Sequence, residues 1–233
     1  THWRRTRLLE AAERVSTKVV TVAEGSFPLP SAKVRAIGHG IDLGELPCRP
    51  PRKPDGTFRL LALGRYSEAK GLDVVVRALH TVEDACLDVY GPTLSEDERR
   101  TRRELEALVE RLRLGARVRL HDAVPRATLP ELFARYDALV NNMRPGAPDK
   151  VVYEAGASCL PVLASNPVFA GFLEPGQRFS RDDAEGLAER IRMLAALAPD
   201  ERAAIGRALR ERVREGHSVE SWARGVLEAA GVP

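Results

Sequence analysis

Residues 58–79 read FRLLALGRYSEAKGLDVVVRAL, and this stretch decides the fold. The six residues Phe58–Leu63 are almost all apolar and predict a buried strand. Apolar residues recur at helical spacing after Gly71 and predict an amphipathic helix over Leu72–Val82. Gly64 permits the sharp turn between the two elements. A strand, a glycine turn and a helix in this order are typical of a parallel sheet with helical crossovers.

The same alternation continues to residue 164. Strands are predicted over Cys86–Tyr90, Arg117–Leu120, Ala138–Asn141 and Pro161–Ala164, and helices over Glu96–Leu112, Leu129–Arg135 and Lys150–Ser158. Apolar strands separated by amphipathic helices indicate a parallel sheet that is covered on both faces. The predicted fold class is α/β with a Rossmann-like, doubly wound parallel sheet. Ligands of such sheets lie beyond the carboxyl ends of the strands.

The two ends of the chain have a different character. A helix over 3–14, strands over Lys18–Val22 and Lys33–Ile37, and a Pro/Arg-rich linker over Pro47–Pro54 precede the main alternation; three helices rich in Glu and Arg follow it over Asp182–Ala230. We interpret 1–36 as the remnant of a preceding domain with its hinge. Residues 37–233 are the main domain, and 218–233 form its terminal helix.

Composition excludes several functions. The chain has 36 Lys and Arg against 33 Asp and Glu, a formal charge of +3, and few aromatic residues, so we expect no nucleic-acid partner. Cys48, Cys86 and Cys159 are odd in number and far apart, which argues against a disulfide framework and a zinc site and favours a cytoplasmic protein. The basic opening helix is interpreted as a solvated face, with peripheral contact to a membrane as the alternative.

The first candidate binding loop is 64–71. Gly64 lets the backbone approach a ligand, and Arg65 and Lys70 place two cations above the sheet edge. A guanidinium that binds two oxygens and a mobile ammonium suit a diphosphate. The alternative is that both are ordinary surface cations.

The second candidate site follows the strand that ends at Asn141. Pro148 favours a helix beginning near Asp149, so free amides of Lys150 and Val151 would form an anion site. Glu154, just over one turn inside this helix, can accept hydrogen bonds from the vicinal hydroxyls of a ribose. The alternative, equally favoured locally, is a pair with Lys150 or a solvent-facing side chain.

The third candidate loop is 121–125, after the strand that ends at Leu120. Its backbone could bind the edge of a base while Ala123 and Val124 lie against the ring; the alternative is a plain turn. His121 and His39 are interpreted as turn residues, because neither has further ligands at metal-binding spacing. We therefore predict no metal site.

Together these motifs resemble those of the retaining glycosyltransferase family four, in the same order. Ala36–Asp42 resembles the family's I-P-N-G-I-D, Leu63–Gly71 its G-R-x-x-x-x-K-G, Tyr90–Gly91 its I-x-G, Val118–Pro125 its V-x-F-x-G-x-V-x, Tyr153–Val162 its x-E-A-M-A-x-G-x-P-V, and Ser218–Ala223 its F-S-W-E-x-x-A. The resemblance implies the carboxyl-terminal half of a GT-B fold, which binds a nucleotide-diphosphate sugar as donor substrate.

The resemblance also implies roles for the candidate residues. Arg65 and Lys70 would bind the diphosphate and stabilise it as it leaves, Glu154 would hold the ribose, and the Val124 loop the base. Transfer would be retaining and metal-independent, without a further cofactor, to an unknown acceptor. We expect an acceptor-binding domain before Thr1, so that this chain alone binds nucleotide without transferring sugar.

Some positions depart from the family pattern. Gly146 stands where the family has an acidic residue eight positions before Glu154, and Asp149 or Lys150 is the candidate substitute. His39 replaces the Asn of N-G-I-D, and Cys159 and Leu160 replace the small residue and glycine before Pro161. Two alternatives stay open, namely a sugar-nucleotide epimerase of the same fold and a non-enzymatic nucleotide-binding module.

Overall fold

The computed structural model describes residues 5–48, 50, 52 and 55–231. The strands are β1 Val19–Thr21, β2 Val34–Ala36, β3 Phe58–Leu63, β4 Ala85–Tyr90, β5 Val118–His121, β6 Ala138–Asn141 and β7 Val162–Ala164. The helices are α1 Arg7–Val15, α2 Leu72–His80, α3 Glu96–Arg111, α4 Leu129–Phe133, α5 Lys150–Ala157, α6 Ala184–Ala196, α7 Pro199–Gly216 and α8 Val219–Ala230. The bounds of β3 and β6 agree with those predicted from the sequence.

The central sheet has five parallel strands in the order β5-β4-β3-β6-β7. Of these five strands, β3 comes first in the sequence and lies in the middle of the sheet. The strands β4 and β5 lie on one side of it, and β6 and β7 lie on the other. This is the doubly wound order, and the crevice between the loops after β3 and β6 is its topological switch point. The strand order therefore places the expected ligand crevice between these two loops.

Each face of the sheet carries its own apolar core. On one face, side chains from β3 such as Leu60 pack with those of α2, α3 and α6. On the other, Leu61 and Leu139 pack with α4, α5 and α7. Burial on both faces explains why β6 and β7 are buried at every residue, whereas β4 alternates between buried and half-buried residues. The second core fixes α5, which carries several candidate site residues, against β6 and β7.

The two strands of the N-terminal segment are not part of the central sheet. β1 and β2 pair in a two-stranded parallel sheet of their own, and none of the residues of α1 is buried. Among the described residues, no helix is long and apolar enough to cross a membrane. The assignment of 1–36 to a preceding domain stays a prediction, and residues 3–4 of the predicted first helix lie outside the described residues.

Cys48 and Cys159 form a disulfide across 111 residues of sequence, with 5.0 Å between their Cα atoms. The prediction of no disulfide was therefore wrong, and Cys86 is the free cysteine. Cysteine spacing gave no signal because the fold brings the two cysteines together: Arg210 of α7 donates hydrogen bonds to the carbonyls of Leu43 and Leu46, which holds the segment before Cys48 against the main domain.

Two half-buried histidines lie where the N-terminal segment meets the main domain. His39 and His217 both contact the ring of Tyr153, with centroid distances of 5.0 and 4.0 Å. His39 Nε2 and His217 Nδ1 are buried without a hydrogen-bond partner. Burial lowers the pKa of each imidazole to about 4, and Lys150 opposes the charge of His39 further. Both side chains are therefore neutral near pH 7.

We expect acid to destabilise the protein through these two histidines. Their pKa values of about 4 in the folded chain lie below the ordinary 6.5, so the unfolded chain binds more protons, and stability falls as pH drops from 6.5 towards 4. The expected loss at pH 5 is about 1–2 kcal/mol per histidine. Urea unfolding of the wild type and of the His39→Asn/His217→Asn variant at pH 7.5 and pH 5 measures it.

The control for this prediction is His80→Gln, because His80 is exposed at the end of α2. This variant should keep the pH dependence of the wild type, whereas the double variant should lose most of it. An equal loss of stability between pH 7.5 and 5 in all three proteins would contradict the prediction.

Candidate functional site

The crevice at the switch point is closed on one side by contacts between the loops after β3 and β6. The Arg144 amide donates to the carbonyl of Ala69 at 3.0 Å, and the Asn142 side chain donates to the carbonyl of Gly71 at 2.8 Å. Gly71 has a φ of +50°, in the left-handed region that favours glycine. These bonds hold the 64–71 loop over the beginning of α5.

Lys70 crosses from the first loop to the second. Its ammonium pairs with the carboxylate of Asp149, which also accepts a hydrogen bond of 2.8 Å from the Asn141 side chain. Gly64 has a φ of +138°, which favours glycine, and a Cβ there would lie 2.6 Å from Lys70 Cε and Nζ and displace the end of this side chain. The Lys70 side chain is 15% exposed. The sequence-predicted Gly64, Lys70 and Asp149 thus meet at one point.

The N-terminus of α5 opens at the same point. Asp149 is the N-cap residue, but its side chain makes no capping hydrogen bond and is turned to Lys70 and Asn141 instead. The amides of the first turn of a helix have no partner within the helix, so those of Lys150 and Val151 are available to an anion. The Val151 side chain is buried in the core, and only its backbone can take part.

Glu154 is a nearly buried carboxylate on the same helix. Its side chain is 7% exposed, and its Oε1 lies 2.5 Å from the guanidinium of Arg126 and 3.9 Å from the ammonium of Lys150. The predicted i,i+4 pair with Lys150 is therefore present, although it is the longer of the two contacts. Glu154 therefore lies about one helical turn from the N-terminus of α5.

Arg65 takes a different direction from Lys70. Its guanidinium lies 3.0 Å from the carboxylate of Glu98 in the first turn of α3. The Arg65 side chain is 61% exposed, whereas that of Glu98 is nearly buried and also accepts a hydrogen bond from the Leu94 amide. The pair is exposed at Arg65 and buried at Glu98, and Glu98 keeps its hydrogen bond from the Leu94 amide if Arg65 turns to a phosphate. The structure places Arg65 at the rim of the crevice.

Two further segments border the crevice: the loop at 121–125, which is predicted to contact the base and is called the base loop below, and the residues before α5. Ala123 is exposed, and Val124 is half-buried against the core that includes α5. Gly146, at the position of the usual acidic residue, has a φ of +139°, which favours glycine. The Asn166 side chain donates to the carbonyl of Gly146 at 3.4 Å. Gly146 therefore offers no side chain at the position where the family has an acidic residue.

His121 at the end of β5 is held by its neighbours. Its Nε2 lies 2.7 Å from Asp88 Oδ1, and its ring stacks on that of Tyr90 at a centroid distance of 4.2 Å. Tyr136 donates to the second oxygen of Asp88 at 2.9 Å. A search of the described part of the chain found no group of three or more His, Cys, Asp or Glu arranged to hold a metal ion.

Three polar residues of the site did not emerge from the sequence. Asn141 and Asn142 are buried at the end of an apolar strand, and two adjacent asparagines in that position were a signal that could have been used. Arg126 meets Glu154 across 28 residues of sequence, and no local pattern distinguishes it from the other arginines of the chain. All three side chains hydrogen-bond to residues of the predicted site: Asn141 to Asp149, Asn142 to the carbonyl of Gly71, and Arg126 to Glu154.

A sequence profile described as "Glycosyl transferases group 1" matches residues 57–196, more than half of the chain. The chain belongs to this family. The match begins just before β3 and ends with α6, so it includes both loops of the crevice and α5. No curated protein sequence gives a significant match.

Solved structures show the same fold. Sucrose-phosphate synthase (tll1590) from Thermosynechococcus elongatus has a TM-score of 0.80 at 20% identity over 96% of this chain and 60% of that one. Anabaena Alr3699/HepE, in complex with UDP and glucose, has a TM-score of 0.80 at 19% identity over 95% and 65%. A glycosyltransferase from Rickettsia africae has a TM-score of 0.81 at 18% identity over 98% and 67%.

These likenesses confirm the predicted fold class, which is that of the carboxyl-terminal Rossmann-like domains of GT-B glycosyltransferases. At identities of 18–20% they establish the fold alone. The chain spans 60–67% of the length of the three structures.

Proposed function

We propose that this chain is the donor-binding part of a retaining, metal-independent glycosyltransferase that takes a nucleoside-diphosphate sugar. The observation that carries the proposal is the meeting of Lys70, Asp149 and the uncapped N-terminus of α5 at the switch-point crevice. An ammonium and free helix amides that converge on one point suit a diphosphate. The family match supports the reaction class, and the acceptor stays unassigned as a saccharide, a lipid-linked sugar or a small molecule.

In this proposal the rest of the donor lies along α5. The ribose hydroxyls meet Glu154, one turn below the diphosphate, and the base lies beside Ala123 and Val124. Anabaena HepE was solved with UDP and glucose, which supports a uridine donor as the first to test. The sugar itself meets Asp149 and Lys150, because Gly146 offers no side chain.

Sugar transfer breaks the bond between the anomeric carbon and the diphosphate oxygen. The diphosphate leaves with the electron pair, the acceptor hydroxyl oxygen forms the new bond on the same face of the sugar, and the proton of that hydroxyl passes to the departing diphosphate. Lys70, the α5 amides and Arg65, once it turns from Glu98, stabilise the charge that develops on the leaving group. Preorganised donors of this kind contribute about 3 kcal/mol each.

A second candidate is a nucleotide-binding module that does not recognise the sugar. Gly146 favours it, because this position has a glycine backbone instead of the family's acidic side chain. The two candidates differ in one measurable quantity, the affinity for a nucleotide sugar relative to that for the free nucleoside diphosphate. An epimerase of the same fold would bind the nucleotide sugar and the free nucleoside diphosphate as well, but it would interconvert two nucleotide sugars.

Calorimetric titration of this chain with UDP, GDP and ADP and their glucose conjugates, all in EDTA, tests the proposal. We expect one nucleotide to bind without metal, and Glu154→Gln to weaken it by about 10-fold or more through the lost charge-assisted hydrogen bonds. Donor binding is measured instead of transfer, because the chain spans only 60–67% of its structural relatives.

The matched control for Glu154→Gln is Glu131→Gln, because Glu131 lies on the outer side of the short helix α4. Equal affinities for the wild type and both variants would remove Glu154 from the site. No binding of any of the three nucleotides would refute the proposed function. Binding that requires a divalent cation would refute its metal independence and leave the donor class standing.

A further inference from the structure

The carboxylate of Glu154 is contacted unequally at its two oxygens. Arg126 lies 2.5 Å from Oε1 and Lys150 lies 3.9 Å from the same Oε1. At 7% exposure the side chain has almost no water to stabilise its charge. A carboxylate has two oxygens that each accept more than one hydrogen bond, so a cation on Oε1 leaves Oε2 as an acceptor for another donor.

Arg126 connects two parts of the candidate site. It follows the base loop directly, in a short 3₁₀ turn over Arg126–Thr128, and reaches α5 across 28 residues of sequence. The Arg126 side chain is 54% exposed, so it is not part of the core. The neighbouring Glu154 carboxylate raises the pKa of Arg126 above its usual value. The guanidinium therefore keeps its charge, pairs with Glu154 through Nη1 and remains partly in contact with solvent.

Lys150 cannot orient the carboxylate in the same way. An ammonium at 3.9 Å acts as a point charge on a flexible stem, and an i,i+4 pair on a helix constrains geometry weakly. A guanidinium at 2.5 Å directs an N–H at one oxygen and fixes the rotation of the carboxylate. The orientation of Glu154 thus depends on Arg126.

We propose that Arg126 is a positioning residue, which holds Glu154 by Oε1 so that Oε2 faces the ribose, and that it thereby makes the site distinguish ribose from deoxyribose. This inference rests on the proposed function, because it assigns the ribose to Glu154. It adds the residue on which ribose selectivity depends. A site built to hydrogen-bond a hydroxyl discriminates strongly against the analogue that lacks it, provided its acceptor is held in place.

The test compares UDP with 2′-deoxy-UDP and 3′-deoxy-UDP on the wild type, Arg126→Gln and Arg126→Lys; GDP or ADP and their deoxy forms are used if one of these is the nucleotide that binds. We expect the wild type to bind the ribonucleotide about 10- to 100-fold more tightly than the weaker of its deoxy forms, as for a hydrogen bond to a charged group. In Arg126→Gln this ratio should fall to less than about 3-fold, whereas Arg126→Lys should retain part of it.

The matched control is Arg100→Gln, which removes an exposed ion pair with Asp97 on α3 and should leave the ratio unchanged. If Arg126→Gln weakens binding of all three nucleotides equally, Arg126 serves overall binding and the inference is wrong. If Arg126→Gln and the wild type give the same ratio, it is wrong as well. Absence of nucleotide binding by the wild type would instead refute the proposed function, and the inference with it.

Discussion

Lys70→Ala is expected to lower the affinity of this chain for its nucleoside diphosphate by about 10- to 100-fold, the value of a hydrogen bond to a charged group. The Lys70 side chain is 15% exposed, and its ammonium meets Asp149 at the N-terminus of α5. The variant removes a positive charge and leaves the Asp149 carboxylate with Asn141 as its remaining described partner. An unpaired carboxylate beside the diphosphate would repel it.

Lys18→Ala is the control for this variant, because Lys18 is an exposed lysine just before β1. It removes the same charge from the chain without touching the crevice, so it corrects for the general effect of net charge on anion binding. Calorimetry at two salt concentrations separates the two contributions. If Lys70→Ala and Lys18→Ala bind the nucleotide equally well, the ammonium does not contact the diphosphate and the catalytic role predicted for Lys70 is wrong.

The fold could be predicted closely from the sequence because each element has a local signal. β6 is buried at all four residues and β3 at four of its six, and such buried strands are nearly continuous apolar runs. α5 begins where Pro148 and Asp149 predict it. The order of the strands was not visible locally, but the alternation of strands and helices leaves few topologies open.

The candidate site could be predicted only in part, because its geometry depends on contacts between distant residues. Gly64 and Lys70 are close in sequence, and their meeting follows from one loop. The pair of Arg126 with Glu154 depends on the packing of α5 beside the base loop. Arg65 faces Glu98 of α3, which no pattern in the 64–71 loop indicates.

The cysteines show the same limit most clearly. Spacing rules treat cysteines as pairs along the chain, whereas Cys48 and Cys159 are brought together by the docking of residues 42–48 against α5 and α7. When two cysteines are 111 residues apart in sequence, no local pattern distinguishes a cysteine that forms a disulfide from one that stays a free thiol. Position 159 did carry a related signal, because it departs from the family pattern after α5. Its residue has a φ of +60°, which a non-glycine residue rarely adopts.

Cys48→Ser is expected to lower the free energy of unfolding by about 2–4 kcal/mol. The disulfide closes a loop of 111 residues, and a crosslink that spans so many residues strongly restricts the unfolded chain. For a chain of this length the melting temperature should fall by about 4–16 °C. Cys159→Gly should lose about 1 kcal/mol less than Cys48→Ser, because glycine adopts the φ of +60° without the cost that a side chain incurs there.

Thermal unfolding with and without dithiothreitol measures these differences, and Cys86→Ser is the control because it removes the free thiol. The wild type and Cys86→Ser should both lose stability on reduction and then melt together with Cys48→Ser, whereas Cys48→Ser should not respond to the reductant. Titration of thiols in denaturant should find Cys86 alone before reduction and all three cysteines after it. Three reactive thiols in the purified, unreduced protein would show that Cys48 and Cys159 do not stay oxidised. The difference in unfolding free energy between Cys48→Ser and Cys159→Gly would then come only from the left-handed backbone at position 159.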